Sequence, residues 1–216
     1  VKALNRHSSS CVDGLSEKTT DWMDAPKDAI WIELDKMQQG FCAYCECQLN
    51  RKHIEHFRTR SGYPKETFNW NNLFGSCGDS SRKGGWNRCG IFKDNGAGPY
   101  DINDLVKPDS HNPSDYLLFL TTGEVTFQPN LLGQDKKIAE ETIRVFNLNN
   151  DAALFNSRKN AIRAIEQEVE VLYSLKDEFQ EEEWQSLLEE SIETSKGFEF
   201  QTALEHTWRY NKSYAD

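Results

Sequence analysis

The sequence predicts an α+β protein: a small module of short strands, tied together by cysteines, followed by a mainly α-helical C-terminal region. Three observations carry that expectation. Cys42-x-x-Cys45 is followed at long range by Cys77 and Cys89, a spacing that closes a loop-rich unit. His53-Ile54-Glu55-His56 and the stretch 116–128 have the short alternating patterns of strands. From Asp135 onward apolar residues recur at the helical period.

Composition narrows the class. Of 216 residues, 37% are hydrophobic and 28% charged, which fits a helix-rich chain with a large solvated surface or one part of a complex. No run of about 18 apolar residues exists, so no membrane span is expected. The start VKALNRHSSS has no apolar signal core, and the cytosol is the expected compartment. In that compartment six cysteines read as metal ligands and reduced thiols rather than disulfides. Cys11 and Cys47 are left over, with Cys47 expected in a strand or just behind the ligands.

The net charge of −10 conceals an uneven distribution. Residues 1–100 hold 14 Lys/Arg against 12 Asp/Glu, whereas residues 101–216 hold 11 against 23. Within 51–93, nine basic residues face three acidic ones. A phosphate backbone would therefore be met by the cysteine module, through Arg51, Lys52, Arg58, Arg60, Arg82, Lys83 and Arg88, and not by the acidic half.

Taken in order, residues 1–41 form an extended lead-in and a first helix. Asp24 is the expected cap, Pro26 the first-turn proline, and Ile30, Trp31, Leu34 and Met37 the buried face. Gly40 ends that helix. Residues 42–130 form the module and a following hairpin. The Cys42–Cys45 knuckle is expected to lead into strands at 46–50 and 53–57, turning at Asn50-Arg51, with 68–74 a turn or short helix beneath them. A second hairpin joins Tyr116–Leu120 to Glu124–Gln128 through Thr121-Thr122-Gly123. Residues 131–216 form an acidic helical domain, with helices near 135–146, 151–178, 181–194 and 199–210, and are the expected partner-binding part.

Zinc favours four soft ligands in a closed tetrahedron, and a Cys-x-x-Cys turn supplies two of them. Cys42, Cys45, Cys77 and Cys89 are the expected ligands of a structural Zn²⁺, because four thiolates leave no position for water. Along a strand His53 and Glu55 share one face and His56 takes the other.

Glu55-His56-Phe57 inside the four-thiol frame, with Asn72-Leu73 sixteen residues on and Cys77 close behind, resembles the HNH endonuclease signature. The resemblance implies a ββα-metal fold around one catalytic Mg²⁺ or Mn²⁺. It implies that His56 is the general base, that Glu55 ligates the catalytic metal, and that Asn72 holds the hairpin and orients the base. His53 is a further catalytic or ligand candidate, and Lys93 a phosphate contact beside Arg58, Arg82 and Lys83. Family members place His or Asn just after the last cysteine, but here that position is Gly90. Asp94 is the first candidate for the missing metal ligand, with Asp79 and Asn95 behind it.

HIEHF, FNWNNLFGSC and the later NLNNDAALFNSRKNAI further resemble the PtuB-type HNH subunit of Septu and retron-associated antiphage defence. That likeness implies the bacterial cytoplasm, a nucleic acid substrate (DNA favoured over RNA), and an ABC/SMC-type ATPase of the PtuA kind as partner. The competing expectation is a zinc-stapled adaptor of the same complex that has no catalysis of its own.

Overall fold

The structure is a computed structural model and describes residues 1–78 and 87–210. Helix α1, Lys27–Gln38, follows Pro26, which stands at the cap position itself. Asp24 belongs to the preceding 3-10 turn and does not cap α1, because the chain leaves that turn extended at Ala25. Ile30, Leu34 and Met37 are buried as their spacing requires, while Trp31 stays half-buried with the Lys52 ammonium 4.2 Å from its ring. The helix ends on two left-handed residues, Gln39 at φ 56° and Gly40 at φ 79°.

Strands β1, Lys52–His56, and β2, Leu73–Cys77, pair antiparallel with His56 opposite Leu73 and Lys52 opposite Cys77. The expected partner of β1, residues 46–50, is not a strand. Glu46 takes φ 63° to close the thiol knuckle, and the Cys42 N–H donates to the Cys47 carbonyl, so this segment curls back instead of running beside β1. It makes one isolated bridge, Phe41 with Gln48. β2 gives no alternating signal because all five of its residues are buried. Its edge is satisfied by a side chain: the Gln38 amide donates to the Gly75 carbonyl at 2.8 Å and accepts from its N–H at 2.7 Å. Gly75 permits that approach, since a Cβ there would stand 2.9 Å from the Trp31 ring.

Helix α2, Cys89–Asn95, follows, giving the order strand, strand, helix in the module. The second hairpin pairs β3, Leu117–Phe119, with β4, Val125–Phe127, and turns through Gly123 at φ 91°, as its sequence predicts. Helices α3, Gly133–Val145, α4, Ala152–Ser174, α5, Glu181–Thr194, and α6, Gln201–Tyr210, complete the chain. None of the described helices is long and apolar enough to cross a membrane.

The link between α3 and α4 binds the helical part to the module. The Cys89 N–H donates to the Phe146 carbonyl at 2.9 Å. Asn149 exchanges two hydrogen bonds with the Val125 backbone, and Asp151 caps α4 while pairing with Arg88 at 3.0 Å. Arg158 is fully buried and donates to the carbonyls of Gly123 and Leu148 at 2.7 and 3.0 Å. The main core runs from the first residues to Ala203, and a smaller cluster of Val169, Leu188, Ile192 and Trp208 holds the outer helices. Arg6 fastens the lead-in: it pairs with Asp109 and donates to the Trp70 and Leu73 carbonyls.

One consequence for acid stability follows from α6. The buried His206 ring accepts the Phe119 N–H at Nδ1, 3.1 Å away, and burial pulls its pKa down to about 4 from an ordinary 6.5. Burial acts the same way on His56, also pulled to about 4. The unfolded chain therefore binds these protons first, and stability present above pH 6.5 is lost as pH falls toward 4. Denaturant midpoints measured from pH 7 to pH 4 should fall across that window. His206→Asn, which keeps an acceptor near Nδ1, should flatten the slope; an unchanged slope removes His206 as a cause.

Candidate functional site

Three elements converge on the thiols. The knuckle between α1 and β1 supplies Cys42 and Cys45, the end of β2 supplies Cys77, and the start of α2 supplies Cys89. All four are buried, and their Sγ atoms lie within 4.8 Å of one another. Cys45 and Cys77 Sγ are 3.7 Å apart, close to the edge of about 3.8 Å that a tetrahedron with Zn–S bonds of about 2.3 Å requires. The Cys77 N–H points at Cys42 Sγ, 3.4 Å away, in the manner of an amide donating to a metal-bound thiolate. The donor set thus fits a metal such as zinc, and it is the one such group of His, Cys, Asp or Glu among the described residues. Cys47 is buried behind the knuckle and lends it its carbonyl. Arg88 lies against the cluster: burial works against its charge, but the negative potential of Cys77 and Cys45 outweighs it and raises its pKa.

A second polar cluster forms one turn further along the buried face of α2, around Lys93. Glu55 is buried, and His53 stands on the same strand face with Nε2 3.2 Å from Glu55 Oε2. The Lys93 ammonium is completely buried, 2.9 Å from Glu55 Oε1, 2.5 Å from Asp94 Oδ1 and 3.1 Å from the His56 carbonyl. Burial would raise the Glu55 pKa, but Lys93 and His53 hold it below the usual carboxylate value. The half-exposed Asp94 is pushed up to about 6 by burial and by Glu55. A Cβ at Gly90 would overlap Glu55 Oε2 and Cδ and stand 2.9 Å from Cγ. A histidine or asparagine there is therefore incompatible with the Glu55 carboxylate in its present place.

His56 points to the opposite face, as strand alternation dictates. Its Nε2 lies 3.0 Å from the Thr67 carbonyl, and its ring packs edge to face with that of Trp22, centroids 4.3 Å apart. Asn72 organises the loop that carries Thr67. Its Nδ2 donates to the carbonyls of Arg58 and Glu66 at 2.9 and 3.1 Å, and its Oδ1 accepts the Arg58 N–H at 2.7 Å. Compared with known proteins, the chain matches no family model. No curated protein matches it either.

A cavity of about 340 Å³ opens beside Lys93 and Asp94, lined also by Thr59, Ser61, Tyr63 and Tyr100. Arg58 flanks it, with its guanidinium 5.0 Å from the Tyr63 ring. Arg82 and Lys83, with Asp79, lie outside the described residues. The structure thus gathers His53, Glu55, Lys93 and Asp94 and keeps His56 and Asn72 one strand face away. Asn95 spends its amide on the Ile91 carbonyl of its own helix. Sequence reasoning missed Trp22, Tyr100 and the Thr67 carbonyl, none of which carries a local signal. Tyr44 was also missed, although its place between the two knuckle cysteines pins it beside the cluster; its buried hydroxyl has no hydrogen-bond partner.

Proposed function

We propose that this chain is a metal-dependent endonuclease of the HNH type, hydrolysing nucleic acid phosphodiester bonds, with structural zinc at the four cysteines. The observation that carries the reading is the contact of His56 with Thr67. A carbonyl only accepts, so Nε2 holds the proton and the lone pair is left on Nδ1, the form a general base needs. Asn72 fixes that carbonyl's loop and so orients the base indirectly. Glu55, Asp94 and His53 carry oxygen and imidazole donors of the kind Mg²⁺ or Mn²⁺ takes, with the Lys93 ammonium standing between the two carboxylates. A cation held there would polarise the phosphate and the leaving oxygen. Arg58 and Lys93 border a cavity open enough to admit a phosphodiester.

The proposal extends to context. The chain would be the nuclease subunit of a bacterial antiphage complex, bound through its C-terminal half to an ABC/SMC-type ATPase. The acidic excess of residues 101–216 and the exposed Val171 and Phe198 support that half as the partner surface.

The test is cleavage of DNA and RNA by the purified chain with Mg²⁺ or Mn²⁺, with and without the ATPase. His56→Ala is expected to lower the rate about 10²–10⁴-fold. Cleavage at the wild-type rate would remove His56 as the base. The second reading, a non-catalytic adaptor, is favoured by Trp22 over His56 and by Lys93 between the carboxylates. It predicts no cutting by the wild type under any of these conditions.

A further inference from the structure

The Lys93 ammonium has the surroundings of a bound cation. Two carboxylate oxygens and a backbone carbonyl lie within 3.1 Å of it, and its side chain has no exposed surface. Burying a charge this completely is costly unless partners replace its hydration, and the negative carboxylates do so. Among the described residues the other ion-pair partner of Glu55 is the His53 ring, whose Nε2 lies 3.2 Å from Oε2 and whose Nδ1 is a buried atom without a hydrogen-bond partner. That unpartnered nitrogen leaves room for a second arrangement. Lys93 and Asp94 also line the 340 Å³ cavity, so the four-carbon stem of Lys93 can carry its charge a few ångströms into that space without crossing the core.

We infer that Lys93 is an exchangeable cation: at rest it occupies the divalent-metal position between Glu55 and Asp94, and a phosphodiester in the adjacent cavity draws it out and admits the metal. The ammonium and a divalent ion compete for the same two carboxylates, so one must leave before the other is bound. A phosphate in the cavity offers Lys93 a replacement partner of equal charge sign. Metal and nucleic acid consequently bind with positive coupling, each raising the affinity for the other by the same factor. Tyr100 lines the same cavity and brings a hydroxyl to its wall beside Lys93 and Asp94.

This inference rests on the endonuclease reading for the identity of the phosphate ligand, but its test needs no cleavage. The zinc-loaded chain is titrated with Mn²⁺, followed by electron paramagnetic resonance, alone and with a phosphorothioate oligonucleotide. Mn²⁺ held by the oligonucleotide itself is subtracted using the Glu55→Gln/Asp94→Asn double variant. For the wild type the oligonucleotide should tighten Mn²⁺ binding on the order of 10-fold or more, within the usual range of coupling between sites. Lys93→Met should bind Mn²⁺ at least about 10-fold tighter than wild type without any oligonucleotide, and lose most of the oligonucleotide effect. Equal Mn²⁺ affinity of the wild type with and without oligonucleotide overturns the inference. So does a Lys93→Met variant that folds and binds Mn²⁺ no better. If Lys93→Met does not fold, the wild-type titration decides alone. Coupling in a protein that never cuts would retain the inference and reject the nuclease; cutting without coupling would do the reverse.

Discussion

Stripping the zinc proposed at the four cysteines is expected to unfold the module around them and to lower the stability of the whole protein by several kcal/mol. The reason lies in what else holds α2. It is a seven-residue helix, Cys89–Asn95, far too short to be stable alone, and it meets the rest through Cys89, Gly90 and Lys93. The four thiols join it to the knuckle and to the end of β2. Without a metal, four buried sulfurs remain in mutual contact with little to replace the lost bonds. Cys77→Ser should lose the metal and lower the thermal midpoint by roughly 10 °C or more, given roughly 2–4 °C per kcal/mol for a chain of this size. Cys11→Ser, at a half-buried thiol outside the cluster, should leave metal content unchanged. Metal analysis of protein never exposed to chelator should give about one zinc per chain. A Cys77→Ser protein that retains both its zinc and its midpoint would sink the four-thiol site.

Much of this architecture was legible because it rests on local signals. The helices after residue 133 follow from apolar period, and the Thr121-Thr122-Gly123 turn from residue type. The cysteine cluster followed from ligand chemistry, although its second pair is separated by eleven residues. The pairing of β1 was misread because β2 is buried on both faces and so carries no alternation, and because the left-handed Glu46 cannot be foreseen from a glutamate. The separate faces of Glu55 and His56 were legible from strand geometry alone. Lys93 was not legible as a buried residue: nothing local distinguishes a lysine that meets solvent from one enclosed by Glu55 and Asp94. Gly90 was visible as a departure from the HNH pattern, but its physical reason, room for the Glu55 side chain, exists only in three dimensions.

Breaking the Glu55–Lys93 pair from either side should be the most destabilising change outside the thiols. Lys93→Met leaves a carboxylate that is 2% exposed without its ammonium, and Glu55→Gln leaves a fully buried ammonium with only half-exposed Asp94 to balance it. Removing one partner of a buried pair typically costs about 3–5 kcal/mol, because the survivor stays buried and uncompensated. The double replacement removes both charges, so its cost should fall short of the sum of the singles by roughly 1–3 kcal/mol. Gly90→Ala tests the same contact sterically. Its methyl would displace the Glu55 carboxylate from Lys93 and should cost about 1–3 kcal/mol, whereas a glycine-to-alanine change inside a helix ordinarily stabilises by roughly 0.5–1 kcal/mol. Denaturant unfolding of the four variants at constant pH and zinc measures all these terms. Additive single costs would mean that Glu55 and Lys93 do not depend on each other. Coupled costs, relieved in Lys93→Met by added Mn²⁺ but not in the wild type, would show that the enclosed ammonium and a divalent ion are alternatives for one site.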